Sequence, residues 1–216
     1  MSLKPTSSIC PVCYQMRTAG MDFFAKWQHR LATDEEAQYE YASESGFCPT
    51  HTWQLASMSS PRGFSRGHIK LLKRFSHKLR ELANSPMGSL NGLSDILKYQ
   101  RDCRVCCLMQ DVEDATIQNL TGLLKEGEST HANLYAGKVC LRHLSMLIEA
   151  MRGDDVSIQA ILSKTAERFD EIANNMASYV IELDKLKNRC LTKDQQYAYL
   201  DALNIVAGAK YLSTIL

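Results

Sequence analysis

The chain has 216 residues, 45% of them hydrophobic and 23% charged, and a formal net charge of +1. That length buries a sizeable core as one larger or two smaller domains, and the balanced charge gives no global attraction to nucleic acid or to an acidic membrane. Eleven Gly, five Pro and few β-branched runs leave a composition led by helix formers, so the expected fold class is all-α.

The N-terminal MSLKPTSSICPVC has no apolar core of signal-peptide length, and no run approaches a membrane span. The expectation is a cytoplasmic chain without a membrane segment. In a reducing compartment its eight cysteines point to metal or redox chemistry and not to a disulfide frame.

After CPVC at 10–13, the residues Met16, Phe23, Phe24, Trp27 and Leu31 fall on one helical face. Thr33 followed by Glu36 reads as a capping box that opens a second helix, and Ser45-Gly46 as its stop. Two antiparallel helices are expected to return the chain to its start, bringing Cys48 and His51 beside Cys10 and Cys13. A third helix over 65–83 shows Ile69, Leu72, Phe75, Leu79 and Leu82 as its apolar stripe. The same helix is basic between 62 and 80, with Arg66, Lys70, Lys73 and Arg74 close to one side. Such a stripe could meet the phosphates of nucleic acid or another polyanion. A solvated face balanced by acids elsewhere is the preferred reading.

ANSPMGSLNG (83–92) reads as a linker, followed by Ser94 and Asp95 as caps for ILKYQ. CRVC at 103–106 opens a helix whose inward residues are Leu108, Met109, Val112, Ile117, Leu120 and Leu124. Cys107, next to Cys106, reads as a packing cysteine, and Gly137 as a helix stop. Asp154 and Asp155 read as capping groups for a long helix over 155–189. Its seam is Ile158, Leu162, Thr165, Phe169, Ile172, Met176, Tyr179, Leu183 and Leu186. Thr192 with Gln195 reads as a cap for a last helix over 193–214. Cys190 has no partner in sequence, and His29, His68, His77 and His131 read as surface or packing residues.

Two stretches recur. CPVCYQM and CRVCCLM both read C-x-V-C-x-x-M, and Cys48-x-x-His51 recurs as Cys140-x-x-His143. The offset is 93 positions for the first cysteine and 92 for the C-x-x-H pair. The expected organisation is a first module over 1–88, a second over 89–190 and a C-terminal helix over 191–216. Each module offers three cysteines and one histidine: Cys10, Cys13, Cys48 and His51, then Cys103, Cys106, Cys140 and His143. Three thiolates and one imidazole are a standard tetrahedral set for structural zinc. Residues separated by two others on one turn can aim both side chains at one ion. At a helix start the free N–H groups and the dipole also favour thiolate over thiol. The reading is one zinc per module, two in all.

The rival reading places iron–sulfur clusters on the same ligands, for redox or electron transfer. Reduced, buried cysteines alone explain one pair but not the same four residue types twice in order. No nucleophile elbow, P-loop or dinucleotide fingerprint is present, so the chain reads as non-catalytic.

C-x-x-C followed by G-F-C-x-x-H-x-x-x-L, given twice in a helical chain, resembles a family of uncharacterised bacterial proteins with paired modules of this kind. The matching stretches are CPVC, GFCPTHTWQL, CRVC and VCLRHLSML, with Lys138-Val139 where the first copy has Gly46-Phe47. The resemblance implies a metal-binding helical fold and carries no assigned activity. The expected role is an interaction module whose partner is another protein or a second copy. The long helix and the apolar C-terminal helix are the candidate surfaces, unless both simply complete the bundle.

Overall fold

A computed structural model describes residues 9–84, 103–125, 137–184 and 192–207. The described residues form eight α-helices and no strand, in keeping with the all-α expectation. They are α1 (Pro11–Thr33), α2 (Glu35–Ser43), α3 (Pro49–Met58), α4 (Pro61–Ala83), α5 (Arg104–Lys125), α6 (Leu141–Ala150), α7 (Asp155–Asp184) and α8 (Lys193–Ala207). The linker beyond Asn84, ILKYQ with its caps, His131 and Cys190 lie outside the described residues.

The described residues divide into two compact units. A discontinuous unit takes those up to Met16 and those from Val112 on, and a continuous unit takes those within Arg17–Asp111. Helices α1 and α5 each contribute to both, so the units do not follow the two copies of the repeat.

In the continuous unit the apolar positions of α1 form one face. Phe24, Trp27 and Leu31 are buried there with Ala37, Tyr41 and Ala42 of α2, Phe47, and Leu55 of α3. The Tyr41 and Phe47 rings meet edge to face with centroids 5.0 Å apart, a geometry worth more than the area alone. Thr33 still belongs to α1, where its hydroxyl donates back to the His29 carbonyl at 2.9 Å. The N-cap of α2 is therefore Asp34, whose carboxylate accepts from the Glu36 N–H at 2.9 Å, and not the expected Thr33. The stop at Ser45-Gly46 stands. Both residues are left-handed, at φ 64° and 77°, and their N–H groups bond to the Ala42 and Tyr41 carbonyls.

Helix α4 starts earlier than expected, with Ser60 accepting from the Gly63 N–H at 3.1 Å and Pro61 in the first turn. Its buried face is also a different one. Gly63, Gly67 and Leu71 face inward, whereas Ile69, Leu72 and Leu79 are 51%, 63% and 49% exposed. The cause is close helix approach: a Cβ at Gly67 would lie 3.1 Å from the Leu31 Cβ. Only small residues fit between two helices that near, so Ile69, Leu72 and Leu79 are turned outward, while Phe75 of the expected stripe still packs against the core.

The discontinuous unit buries Ile117, Leu120 and Leu124 of α5, Leu144 and Leu147 of α6, Ile161, Thr165 and Ile172 of α7, and Ala198 and Ile205 of α8. Helix α8 packs along α7 and reaches α6. On α7 the seam includes Ile161 in place of the expected Leu162, which is 44% exposed. Residues 161, 165, 169 and 172 run along one ridge of the helix, and 162 lies off it. Asp154 caps α7 by accepting from the Ser157 N–H at 3.2 Å. Thr192 and Gln195 exchange hydrogen bonds of 3.0 and 3.2 Å, a reciprocal capping box at the start of α8. No described helix is long and apolar enough to cross a membrane.

Candidate metal centres

Four helix starts carry the eight ligands, and all four use the same local device. Cys10, Cys48, Cys103 and Cys140 each occupy the residue just before a helix, with the second ligand three positions on. The carbonyl of each of these cysteines accepts the first helical bond, from Tyr14, Thr52, Cys107 and Leu144 at 2.8–3.0 Å. Cys48 and Cys140 have extended backbone (ψ 162° and 163°) and make no side-chain cap bond, so each sulfur is left to turn to its neighbours. Pro11 and Pro49 stand in the first turn, where a missing N–H costs nothing. Residues at N-cap and N3 lie on the same side of the first turn. This explains why a spacing of three recurs four times.

The eight side chains form two sets. Cys10, Cys13, Cys140 and His143 gather in the discontinuous unit, and Cys48, His51, Cys103 and Cys106 in the continuous unit. Within each set all ligand atoms lie within 4.8 Å of one another. The eight expected residues are therefore all brought into these two sets, but the expected grouping within each copy is corrected. Each C-x-x-C meets the C-x-x-H of the other copy. Helix lengths supply the reason. With 23 residues, α1 carries the chain about 34 Å, whereas the nine residues of α2 return it only about 13 Å. Helix α2 thus returns the chain well short of the outward run of α1, and Cys48 and His51 belong to the continuous unit while Cys10 and Cys13 belong to the other.

In the discontinuous unit His143 Nδ1 lies 3.3, 3.4 and 3.2 Å from the sulfurs of Cys10, Cys13 and Cys140. The Cys13 and Cys140 sulfurs are 3.9 Å apart. In the continuous unit His51 Nδ1 lies 3.1 Å from Cys48 and 3.4 Å from both Cys103 and Cys106, with Cys48 and Cys106 sulfurs 3.8 Å apart. A disulfide would need about 2.05 Å. A tetrahedral ion with sulfur at about 2.3 Å and nitrogen at about 2.0 Å sets its sulfurs about 3.8 Å from one another and about 3.5 Å from the nitrogen. Both sets have the dimensions and donors for one metal ion each.

The electrostatics agree. In the continuous unit, burial and then the charges of Cys103 and Cys48 push Cys106 up to about 12. Cys103 itself is pushed up by burial, but His51 and nearby backbone N–H groups bring it down to about 6. In the discontinuous unit, hydrogen bonds from Cys10 and Cys13 hold Cys140 far below the usual thiol range. Burial works against a charged His143, yet Cys10, Cys140 and Glu113 hold it up to about 10. Crowded thiols cannot all ionise against one another, and a divalent cation bound among them would release the remaining protons.

One residue of the discontinuous site was not anticipated. Glu113 of α5 is 5% exposed, and its carboxylate lies 2.7 Å from His143 Nε2. Arg142 clamps the same carboxylate with two bonds of 3.0 and 2.9 Å. With Nε2–H donated to Glu113, His143 presents Nδ1 to the three sulfurs, the orienting arrangement that metal-bound histidines use. A charged residue in register with inward-facing Ile117 and Leu120 was the sequence signal. In the continuous unit, among the described residues, no hydrogen bond to His51 Nε2 is found. Its ring instead lies by Phe24, centroids 6.1 Å apart.

The remaining singled-out residues take other places. Cys107, expected to pack, is exposed, because Val105 faces the core and a residue two positions on points away. His68 packs: its ring stacks on Phe64 at 3.7 Å and its Nε2 lies 3.1 Å from the Tyr41 hydroxyl. Of the basic stripe, Arg66 and Arg74 donate to the Ala32 and Ala42 carbonyls at the ends of α1 and α2, at 2.9 and 2.7 Å. Lys70 pairs with Glu35 at 2.6 Å and lies over the Tyr39 ring. Lys73 is exposed. Three of these four side chains thus bond within their own unit.

No family model matches the chain, and no curated protein or solved structure is similar to it. The motif resemblance therefore names no family, and the two clusters with the capacity to hold metal stand on their own geometry.

Proposed function

We propose that the chain is a non-catalytic, zinc-stabilised helical protein of the reducing cytoplasm that acts as an interaction module. The observation that carries this reading is the pair of Cys₃His sets, each with its four ligand atoms within 4.8 Å. Four donors saturate a tetrahedral ion and leave no position for water or substrate, which suits a structural role. Three sulfurs and one imidazole also match the donor preference of zinc. An iron–sulfur cluster distributes its thiolates over separate irons and spreads them further than one ion does, so the tight spacing supports a single ion over the redox reading.

The test is elemental analysis of protein purified anaerobically, together with its absorption spectrum. About two zinc per chain and no visible band is the expected result. Iron with acid-labile sulfide and a brown colour would overturn the proposal in favour of electron transfer.

A further inference from the structure

We propose that the outward face of α4 docks an amphipathic helix of a protein partner whose flank is lined with carboxylates. The inference builds on the reading of the chain as an interaction module, and it does not depend on which metal is bound.

Positions 65, 69, 72, 76, 79 and 83 of α4 step alternately by four and three, the spacing of a coiled-coil seam. Ile69, Leu72 and Leu79 hold three of these positions and are 51%, 63% and 49% exposed. The others are Ser65, Ser76 and Ala83, small enough to let a second helix approach. Arg66, Lys73 and Arg80 each follow a seam position by one residue and recur every seven. All three are exposed. They line one flank of the seam at the positions where coiled coils place their interhelical ion pairs. Arg66 spends one N–H on the Ala32 carbonyl and keeps others for a partner. The opposite flank, with His68, Phe75 and Leu82, is half-buried in the unit. The partner is thus met by charge on one side only.

A second copy does not fit this face. Antiparallel pairing would set the Arg66, Lys73 and Arg80 rows against each other. Parallel pairing would set that row against His68, Phe75 and Leu82, which offer no acid. Phosphate groups would gain nothing from the apolar seam, and Lys70 and Arg74 are turned to partners within the unit. A bilayer favours a broad apolar sector with cations on both rims, whereas this seam is narrow and broken by two serines. An acidic, leucine-bearing helix is the occupant that uses both the seam and its flank.

The probe is a synthetic helical peptide with Leu at seam positions and Glu at both flanks, offered to the full metal-loaded chain and read by fluorescence anisotropy. A scrambled peptide of equal composition, a Lys-flanked peptide, phosphatidylserine vesicles and heparin are run beside it. The Glu peptide should bind and the scrambled one should not. Leu72→Asp should weaken binding about tenfold or more. Lys73→Glu with Arg80→Glu should weaken it about fivefold or more and create affinity for the Lys-flanked peptide. Ser76→Leu, which extends the seam, should strengthen it about threefold or more. Metal content and helicity should be unchanged in all three variants, which separates a failed docking face from a failed metal reading. Equal binding of the scrambled peptide, indifference to Leu72→Asp and Ser76→Leu, or binding of vesicles or heparin in place of the Glu peptide overturns the proposal.

Discussion

The two candidate metal sites share residue types and helix-start geometry but differ in what surrounds the histidine. In the discontinuous unit all four ligands are buried, His143 is oriented by Glu113, and Glu113 is clamped by Arg142. In the continuous unit Cys106 and His51 are only partly buried, and the His51 ring lies by the Phe24 ring, centroids 6.1 Å apart. Carrying the offset of 93 back from Glu113 gives Gly20, and the offset of 92 back from Arg142 gives Thr50. Both members of the supporting pair are absent together from the first copy. Identical ligands therefore do not make identical sites; the neighbouring shell sets orientation and access.

The difference between the two sites should show most strongly when the metal is removed. A strong chelator under reducing conditions should melt much of the helical signal in circular dichroism, because two helix starts converge on each ion and binding is coupled to folding. Loss should be biphasic, with the continuous unit's metal leaving first. A single phase would equate the two sites and contradict the distinction.

A smaller effect isolates the supporting carboxylate. Glu113→Gln should lower affinity at the discontinuous site about 10- to 100-fold, read by chelator competition, and leave the other site unchanged. The reverse graft at Gly20 would require the terminal methyl of the flexible Met109 side chain to move aside for the new Cβ.

The smallest effect concerns the continuous unit alone. Burial raises Tyr41 to about 12, so its folded state holds a proton that the unfolded chain releases above pH about 10. Stability from this group is full below pH 10 and declines as pH rises toward 12. Tyr41→Phe should flatten that alkaline decline in Tm, while costing about 1 kcal/mol at neutral pH through the lost hydrogen bond to His68.

Much of this was readable in the residues. The eight ligands, the Ser45-Gly46 stop and the Thr192–Gln195 capping box each rest on chemistry local to a turn, and sequence spacing reports local chemistry well. The partner exchange between copies was not readable, because it depends on α1 running 23 residues against nine for α2. The inward face of α4 was hidden for another reason. Hydrophobic periodicity points to Ile69, Leu72 and Leu79, but close packing on Leu31 selects glycines, which periodicity does not register. Glu113 was overlooked because its partner His143 lies 30 residues away.

The exchange of ligands between copies is tested most directly by metal content in two double variants. Cys13→Ser with Cys140→Ser strikes one set twice and should leave about one zinc per chain, whereas Cys13→Ser with Cys48→Ser strikes both sets and should leave little or none. The opposite ranking, with metal retained in the second variant and lost in the first, would mean that each copy closes on its own ion.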